Sequence, residues 1–149
     1  MSRPKIRPAI EDDADAIHVL AEDELGRCPA KARLRAIVSQ YPSLVLQSGD
    51  KVVGFVYGTQ MAPDIIELGN MLVAEQFRNQ GLGSDLLTAF DELSRSTYAV
   101  VVLANSGLWS VKREPKISAV PFYERAGYAP ILTTGNSTVL AKWIRSPDS

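Results

Sequence analysis

The sequence predicts an α/β domain, on the strength of three observations. Residues 71–87 read as a strand that ends, a tight glycine loop and a helix that begins. Residues 82–93 then repeat large apolar side chains at helical spacing, so this helix buries one face on a sheet. Residues 100–102 are three consecutive valines, which is typical of a central strand buried on both faces. With 149 residues, we expect all of these elements to belong to one domain, residues 1–149.

The first elements are predicted to be a short strand and two helices. Residues 6–9 form the strand, and Pro8 favours an edge position because proline cannot donate to a sheet ladder. Asp12 or Asp13 is expected to cap the first helix. Pro29 suits the first turn of the second helix.

Three strands are predicted in the middle of the chain. Residues 43–47 and 52–60 flank the turn signal of residues 48–50, which indicates a hairpin. Residues 65–73 form the next strand and lead directly into the glycine loop.

The C-terminal third predicts a strand, a helix and two final strands. Residues 98–104 form the first of these, and Ser118 is expected to begin the helix, which ends at Gly127. Residues 128–132 and 138–143 close the chain. The complete order is β-α-α-β-β-β-α-β-α-β-β.

The segment of residues 105–116 is long for a connection between a strand and a helix. Trp109 lies in it. Its side chain either packs against the domain or forms part of a lid or a dimer contact.

Composition excludes several classes of partner. The net charge of -1 gives no general attraction to nucleic acid or to an anionic membrane, so we expect neither partner. The chain has a single cysteine, Cys28, and a single histidine, His18, and these predict no internal disulfide and no zinc site. The N-terminus lacks the apolar core of a secretory signal, and a reducing, cytoplasmic location is expected.

The glycine loop, Arg78-x-x-Gly81-x-Gly83, predicts a phosphate site. Small residues let backbone amides approach a ligand, and the helix that follows presents its unpaired amides and the positive end of its dipole. A dinucleotide fingerprint requires three glycines, and a P-loop requires a lysine that this loop lacks, so NAD and ATP sites are disfavoured. A plain strand-to-helix turn remains an alternative.

This loop resembles the acetyl-CoA-binding motif of the GNAT N-acetyltransferase superfamily, Arg/Gln-x-x-Gly-x-Gly/Ala. A second segment is similar to that family's Ala-x-x-Phe-Tyr-x-x-x-Gly-Phe and contains Ala119, Phe122, Tyr123, Gly127 and Tyr128. The resemblance covers nearly the whole chain. It implies the acyl-CoA N-acyltransferase fold, a central mixed twisted sheet of about seven strands with flanking helices.

The resemblance also implies a set of cofactor residues. Backbone amides of the loop would hold the pyrophosphate of acetyl-CoA, and the strand before it would pair with the pantetheine arm where the fourth and fifth strands splay apart. The amide near Val73 would donate to the thioester oxygen. The implied cofactor-binding residues are Met71, Leu72, Val73, Arg78, Asn79, Gln80, Gly81, Leu82, Gly83 and Ser84. No metal is expected. The family often has an asparagine at the position of Lys116, so that contact is in doubt.

Two residues are candidates for proton transfer. Tyr123 matches the family tyrosine beside the thioester sulfur and would act as general acid, with a buried core tyrosine as the alternative. Glu67, on the fourth strand, is the candidate general base. Strand alternation predicts that Glu67 and Asn70 face opposite sides of the sheet. A water chain without a dedicated base remains open.

The resulting functional prediction is transfer of an acetyl group from acetyl-CoA to a primary amine, on a small molecule or a protein, through a ternary complex. The alternatives are a non-catalytic CoA-binding or regulatory domain of the same fold and another kind of nucleotide-binding domain. A homodimer is a further expectation, and the acceptor is not specified by the sequence.

Overall fold

The computed structural model describes residues 3–26, 28–107 and 118–146. Within them the chain forms one seven-stranded sheet with helices on both faces. The elements are β1 (Lys5–Pro8), α1 (Ala14–Leu25), α2 (Lys31–Gln40), β2 (Ser43–Ser48), β3 (Lys51–Ala62), β4 (Ile65–Val73), α3 (Leu82–Ser94), β5 (Val100–Ser106), α4 (Val120–Arg125), β6 (Ala129–Thr133) and β7 (Ser137–Trp143). Short 3-10 turns precede α1 and α3, at Glu11–Asp13 and Glu75–Phe77. The predicted element order and fold class are confirmed.

The sheet has the strand order β1-β2-β3-β4-β5-β7-β6. Strands β1 to β4 form an antiparallel meander, and β4 and β5 run parallel. The strand β1 lies at the edge, as Pro8 predicted. The valine-rich strand β5 lies between β4 and β7, although only Val101 among its three valines is fully buried.

Each face of the sheet carries its own hydrophobic core. On one face α3 buries Leu82, Leu86, Leu87 and Phe90 against apolar side chains of the strands. On the other face α1 and α2 pack Ile17, Leu34 and Ile37 against a cluster that includes Phe55 and Leu72. The apolar face of α3 confirms the periodicity seen in the sequence, because these side chains recur every three or four residues.

The parallel pair β4–β5 is short. Only Ile65, Ile66 and Glu67 have partners in β5, whereas β5 itself continues to Ser106 along β7. The second half of β4 is therefore paired on its β3 side alone. This is the predicted splay between the fourth and fifth strands, and it opens a cleft in the middle of the sheet.

A β-bulge in β4 changes which side chains share a face. Tyr57 pairs with Asn70, but the next residue of β3, Gly58, pairs with Leu68, so Gly69 is the extra residue. Glu67 lies opposite Thr59, and Asn70 lies opposite Tyr57. Thr59 and Tyr57 are two residues apart in β3, so their side chains share a face. Glu67 and Asn70 therefore both lie on the α1–α2 face, and the prediction that they face opposite sides is wrong because simple alternation does not hold across a bulge.

Two predicted helix starts also differ from the structure. Asp13 stands at the N-cap position of α1, but its carboxylate accepts bonds from the Ile10 amide at 2.8 Å and from the Arg7 guanidinium at 2.8 and 2.9 Å instead of capping the helix. The helix α2 begins at Lys31, so Pro29 precedes it.

The helix α4 follows the predicted pattern closely. Pro121 lies in its first turn, the Ser118 hydroxyl accepts a bond from the Val120 amide at 3.2 Å, and Gly127 beyond its end has a φ of 97°. Residues 108–117, which include Trp109 and Lys116, lie outside the described residues. The interpretations of that loop remain predictions.

Across the described ranges, every helix is too short or too polar to span a bilayer. The same residues contain no cluster of three or more His, Cys, Asp or Glu side chains that could hold a metal ion.

Candidate functional site

The glycine loop turns sharply before α3. Asn79 and Gly81 both have left-handed backbones, with φ values of 64° and 78°, and the Asp85 amide closes the first helical turn on the Gly81 carbonyl at 3.1 Å. A Cβ at Gly81 would meet no atom within 4 Å, so the positive φ, and not crowding, makes glycine suitable there. The amides that open α3 have no partner within the helix and point along the positive end of its dipole.

The polar groups of Arg78 bind other parts of the protein. Its Nε donates to the Val73 carbonyl at 3.0 Å, and its guanidinium is ion-paired with Glu24 at the end of α1. The other carboxylate oxygen of Glu24 accepts the Glu75 amide at 3.1 Å. Glu24 therefore ties α1 to the loop, and the positive charge of Arg78 is already balanced by a protein carboxylate.

A cavity of about 440 Å³ lies over the loop. Its walls are the loop, the N-terminus of α3 and the side of α4 that carries Phe122 and Tyr123. Nine of the ten predicted cofactor residues line it: Met71, Leu72, Val73, Arg78, Asn79, Gly81, Leu82, Gly83 and Ser84. Gln80 does not, and its carbonyl accepts a bond from Arg3 at 3.2 Å.

A second cavity, of about 420 Å³, occupies the splay between β4 and β5. It shares Met71, Ala119 and Tyr123 with the cavity over the loop. Because they share these residues, the two cavities lie next to each other along a path from the N-terminus of α3 to the middle of the sheet.

The open edge of β4 presents backbone groups to this path. The Ala74 amide donates to Val53 of β3 at 2.8 Å, so alternation turns the Val73 amide toward the cleft. The Met71 amide donates to the Asn70 side-chain oxygen at 3.0 Å. A Val73 amide that faces the cleft is the kind of donor that a developing oxyanion requires.

Tyr123 lies where the two cavities meet. It is 8% exposed, and its ring makes edge contacts with Phe122 and Tyr128 at centroid distances of 5.1 and 6.0 Å. The packing fixes the ring while the side chain still lines both cavities. The structure thus places the predicted general acid beside the predicted cofactor residues.

A buried polar cluster that the sequence did not reveal supports this tyrosine. Tyr128 donates to Asp91 at 2.6 Å, and Lys142 donates to the other oxygen of that carboxylate at 2.9 Å. Burial, followed by the nearby Asp91 charge, raises the pKa of Tyr128 far above its usual value. The cluster joins α3, the turn after α4 and β7. Its members are too far apart in sequence for any local pattern to indicate the contact.

A third cavity, of about 370 Å³, opens on the α1–α2 face of the sheet. Glu67 and Tyr57 line it on the sheet side, and Cys28 and Arg33 line it on the helix side. It shares residues 68–70 and Ala104 with the cavity in the splay. Burial and the negative charge of Glu22 raise the pKa of the Cys28 thiol to about 11, so this sulfur is neutral at pH 7.

The three cavities, all within the described part of the chain, lie in series and share lining residues, and we call this series the channel. Loop amides and Tyr123 lie on one side, and Glu67 lies on the other. This arrangement can hold a phosphate-bearing ligand with an extended arm at one end and a second, smaller ligand at the other.

Known proteins were compared with this chain in both sequence and structure. The family model for the acetyltransferase (GNAT) domain matches residues 39–130. No curated protein matches the chain in sequence.

Solved structures with the same fold include Ard1 from Thermoplasma volcanium, which has a TM-score of 0.78 and 21% identity over 95% of this chain and 98% of that one. The ribosomal-protein-S18-alanine N-acetyltransferase from Escherichia coli has a TM-score of 0.78 and 17% identity over 96% and 95%. The PaiA N-acetyltransferase from Thermoplasma acidophilum, solved in complex with coenzyme A, has a TM-score of 0.76 and 16% identity over 96% and 99%.

Proposed function

The chain belongs to the GNAT acetyltransferase family, and from this premise we propose that it transfers an acetyl group from acetyl-CoA directly to a primary amine. The observation that carries the proposal is the channel, the series of three adjacent cavities that share lining residues. It connects a phosphate-type loop, a buried tyrosine and a carboxylate in the order that a direct transfer requires. Similar solved structures that contain CoA or acetyl-CoA support the choice of cofactor.

In this proposal the loop end of the channel binds the cofactor. Amides of Gly83 and Ser84, with the dipole of α3, hold the pyrophosphate. The pantetheine arm lies along the open edge of β4, where the Val73 amide donates to the thioester oxygen. Arg78 acts by orienting the loop through Glu24 and Val73 and does not contact phosphate.

The acceptor amine enters from the cavity that Glu67 lines. A primary amine with a pKa of about 10.4 is neutral in only about one molecule per thousand at pH 7, so a base must remove its proton. Glu67 is the carboxylate available there and takes the proton directly or through one water. The amine nitrogen then attacks the thioester carbonyl carbon.

Collapse of the tetrahedral intermediate breaks the bond between carbon and sulfur. The electron pair leaves with the CoA sulfur, and Tyr123 donates its hydroxyl proton to that thiolate. Tyrosine suits this role because its usual pKa of about 10 keeps it protonated at neutral pH. The nitrogen carries one extra proton after the attack, and it passes this proton to the Tyr123 phenolate directly or through water, which restores the phenol. The products are an N-acetylated amine and free CoA, and Glu67 releases the first proton to solvent.

A thiol-release assay with acetyl-CoA and a panel of primary amines tests the proposal. We expect CoA release that depends on both substrates, with an equal amount of acetylated amine detected by mass spectrometry. Micromolar binding of acetyl-CoA without turnover of any amine would contradict the enzyme and favour a CoA-binding regulatory domain. Tighter binding of ATP or NAD than of CoA would contradict both.

A further inference from the structure

The acceptor cavity carries two charges of opposite sign. Glu67 of β4 lines it from the sheet, and Arg33 of α2 lines it from the helical cover. Among the residues that the structure describes, neither side chain has an ion-pair partner or a side-chain hydrogen bond. The cavity volume of about 370 Å³ is within the usual range for small-molecule sites, roughly 300–1,000 Å³.

Arg33 has no ion-pair partner among the described residues, whereas two neighbouring cations on α2 do. Arg35 pairs with Asp15 at 3.1 Å, and Lys31 approaches the same carboxylate at 4.0 Å. These two cations form exposed ion pairs with α1, whereas the exposed side of α2 that carries Arg33 borders the cavity. A guanidinium beside a cavity is well suited to a planar anion, because its parallel N–H groups match the two oxygens of a carboxylate.

The position of Glu67 fixes the direction in which an acceptor would lie. The cavity continues into the splay through residues 68–70, so its sheet side is nearer to the cofactor path and its helix side is farther away. An amine at Glu67 faces the thioester. A second group on the same molecule then extends toward Arg33.

We propose that the acceptor is a small amino acid: a molecule whose amine is acetylated at Glu67 while its own carboxylate binds Arg33. This inference rests on the proposed function and specifies its substrate class. A monoanionic carboxylate matches the single positive charge of Arg33, and the bound molecule satisfies both unpaired side chains at once. Recognition of the two ends would exclude simple alkylamines, because they leave the guanidinium without a partner.

The test compares matched pairs of amines in the thiol-release assay. One series sets ω-amino acids from glycine to 6-aminohexanoate against alkylamines of the same chain length. The other sets L-lysine and L-tyrosine against cadaverine and tyramine, which lack the carboxylate. We expect at least one acid to exceed its partner in kcat/KM by about tenfold, the effect of one charge-assisted contact.

Two variants of α2 identify the group responsible. Arg33→Gln should lower the ratio of kcat/KM for the preferred acid over its matched amine by about tenfold. Arg35→Gln is the control. It removes one positive charge from the same helix, two residues from Arg33, and the Arg35 side chain does not line the cavity. It should leave the ratio within about twofold of the wild-type value.

The outcomes separate this inference from the proposed function. Turnover of alkylamines at rates equal to or above those of their acids would overturn the inference and leave the acetyltransferase assignment intact. A preference for acids that survives Arg33→Gln would overturn the role of Arg33 and with it the inference. Failure of every amine to react would overturn the proposed function and this inference together.

Discussion

The two ends of the channel are built in different ways. The loop end takes most of its lining from one stretch of chain, residues 71–84, with α4 as the remaining wall, and it offers backbone amides at the start of a helix. The acceptor end is assembled from α2, β3 and β4, and offers the side chains of Arg33, Tyr57 and Glu67. This difference would allow one fold to keep the same cofactor while its acceptor changes.

A site made of backbone groups depends on local conformation and tolerates many side chains, whereas a site made of side chains changes with each substitution. Variants at the loop end should therefore affect cofactor affinity, and variants at the acceptor end should affect acceptor choice. Tyr123, at the junction of the cavities, belongs to neither group and should affect the rate of the chemical step.

The largest effect is expected at this junction. Tyr123→Phe removes the proton donor, so kcat should fall by about tenfold or more, while the Kd for CoA changes little. Steady-state kinetics and equilibrium titration with CoA measure the two quantities. Unchanged turnover would remove Tyr123 from the mechanism.

Tyr128→Phe is the matched control for that experiment. It deletes the same hydroxyl from a buried neighbour whose partner is Asp91 rather than the channel. Loss of this charge-assisted hydrogen bond should lower the free energy of unfolding by about 2 kcal/mol, measured by urea denaturation. A fall in kcat as large as that of Tyr123→Phe would show that the two tyrosines cannot be separated in this way.

At the loop end, Gly81→Val should weaken CoA binding by about tenfold or more, because a branched residue strongly disfavours the left-handed backbone that the turn requires. The Kd from isothermal titration gives the effect, with circular dichroism to verify folding. Gly49→Val, in the turn between β2 and β3, is the matched control, because this glycine also has a positive φ, its Cβ would meet no atom within 4 Å, and it lines none of the three cavities. A folded Gly81→Val protein with normal CoA affinity would mean that the loop has been misassigned.

Glu24→Gln tests the contacts that tie α1 to the loop end. Loss of the charge loosens the ties from α1 to Arg78 and Glu75, so the Kd for CoA should rise by about fivefold. Asp23→Asn, an exposed change in the same turn, is the control. Tighter binding by Glu24→Gln would instead indicate that a released Arg78 reaches the pyrophosphate.

The smallest effect concerns the ion pair between Arg7 of β1 and Asp13 at the start of α1. The hydrogen bond from Arg7 is the main cause that holds the pKa of Asp13 below its usual value, against the opposing effect of burial. A carboxyl group with a lowered folded-state pKa stabilises the fold above its unfolded pKa of about 4, and this contribution is lost as the pH falls through the folded value. Asp13→Asn should cost about 1 kcal/mol at pH 7 and reduce the acid dependence of unfolding. An unchanged acid dependence would contradict this.

Much of the fold followed from the sequence because its signals are local. The spacing of Leu82, Leu86 and Phe90 defines the buried face of α3, and Pro8 marks an edge strand. Gly81 and Gly127 were placed correctly at turns with positive φ. Such positions are determined by the conformational limits of the residue itself.

The acceptor end could not be predicted in the same way. Alternation placed Glu67 and Asn70 on opposite faces, and the bulge at Gly69 reversed this, because an extra residue in one strand becomes visible only against its partner. The pairing of Arg78 with Glu24 joins residues that are 54 positions apart and was likewise hidden.

The sequence by itself determined the order of the elements, the family and the phosphate-type loop, because periodicity and glycine conformation act over a few residues. The tertiary structure alone decided which charges meet in the acceptor cavity. Arg33 and Glu67 belong to different layers of the domain, and their shared cavity exists only once helix and sheet have packed. Coulombic and hydrogen-bonding preferences between such groups depend on distances in space, and the linear chain does not encode these in any local pattern.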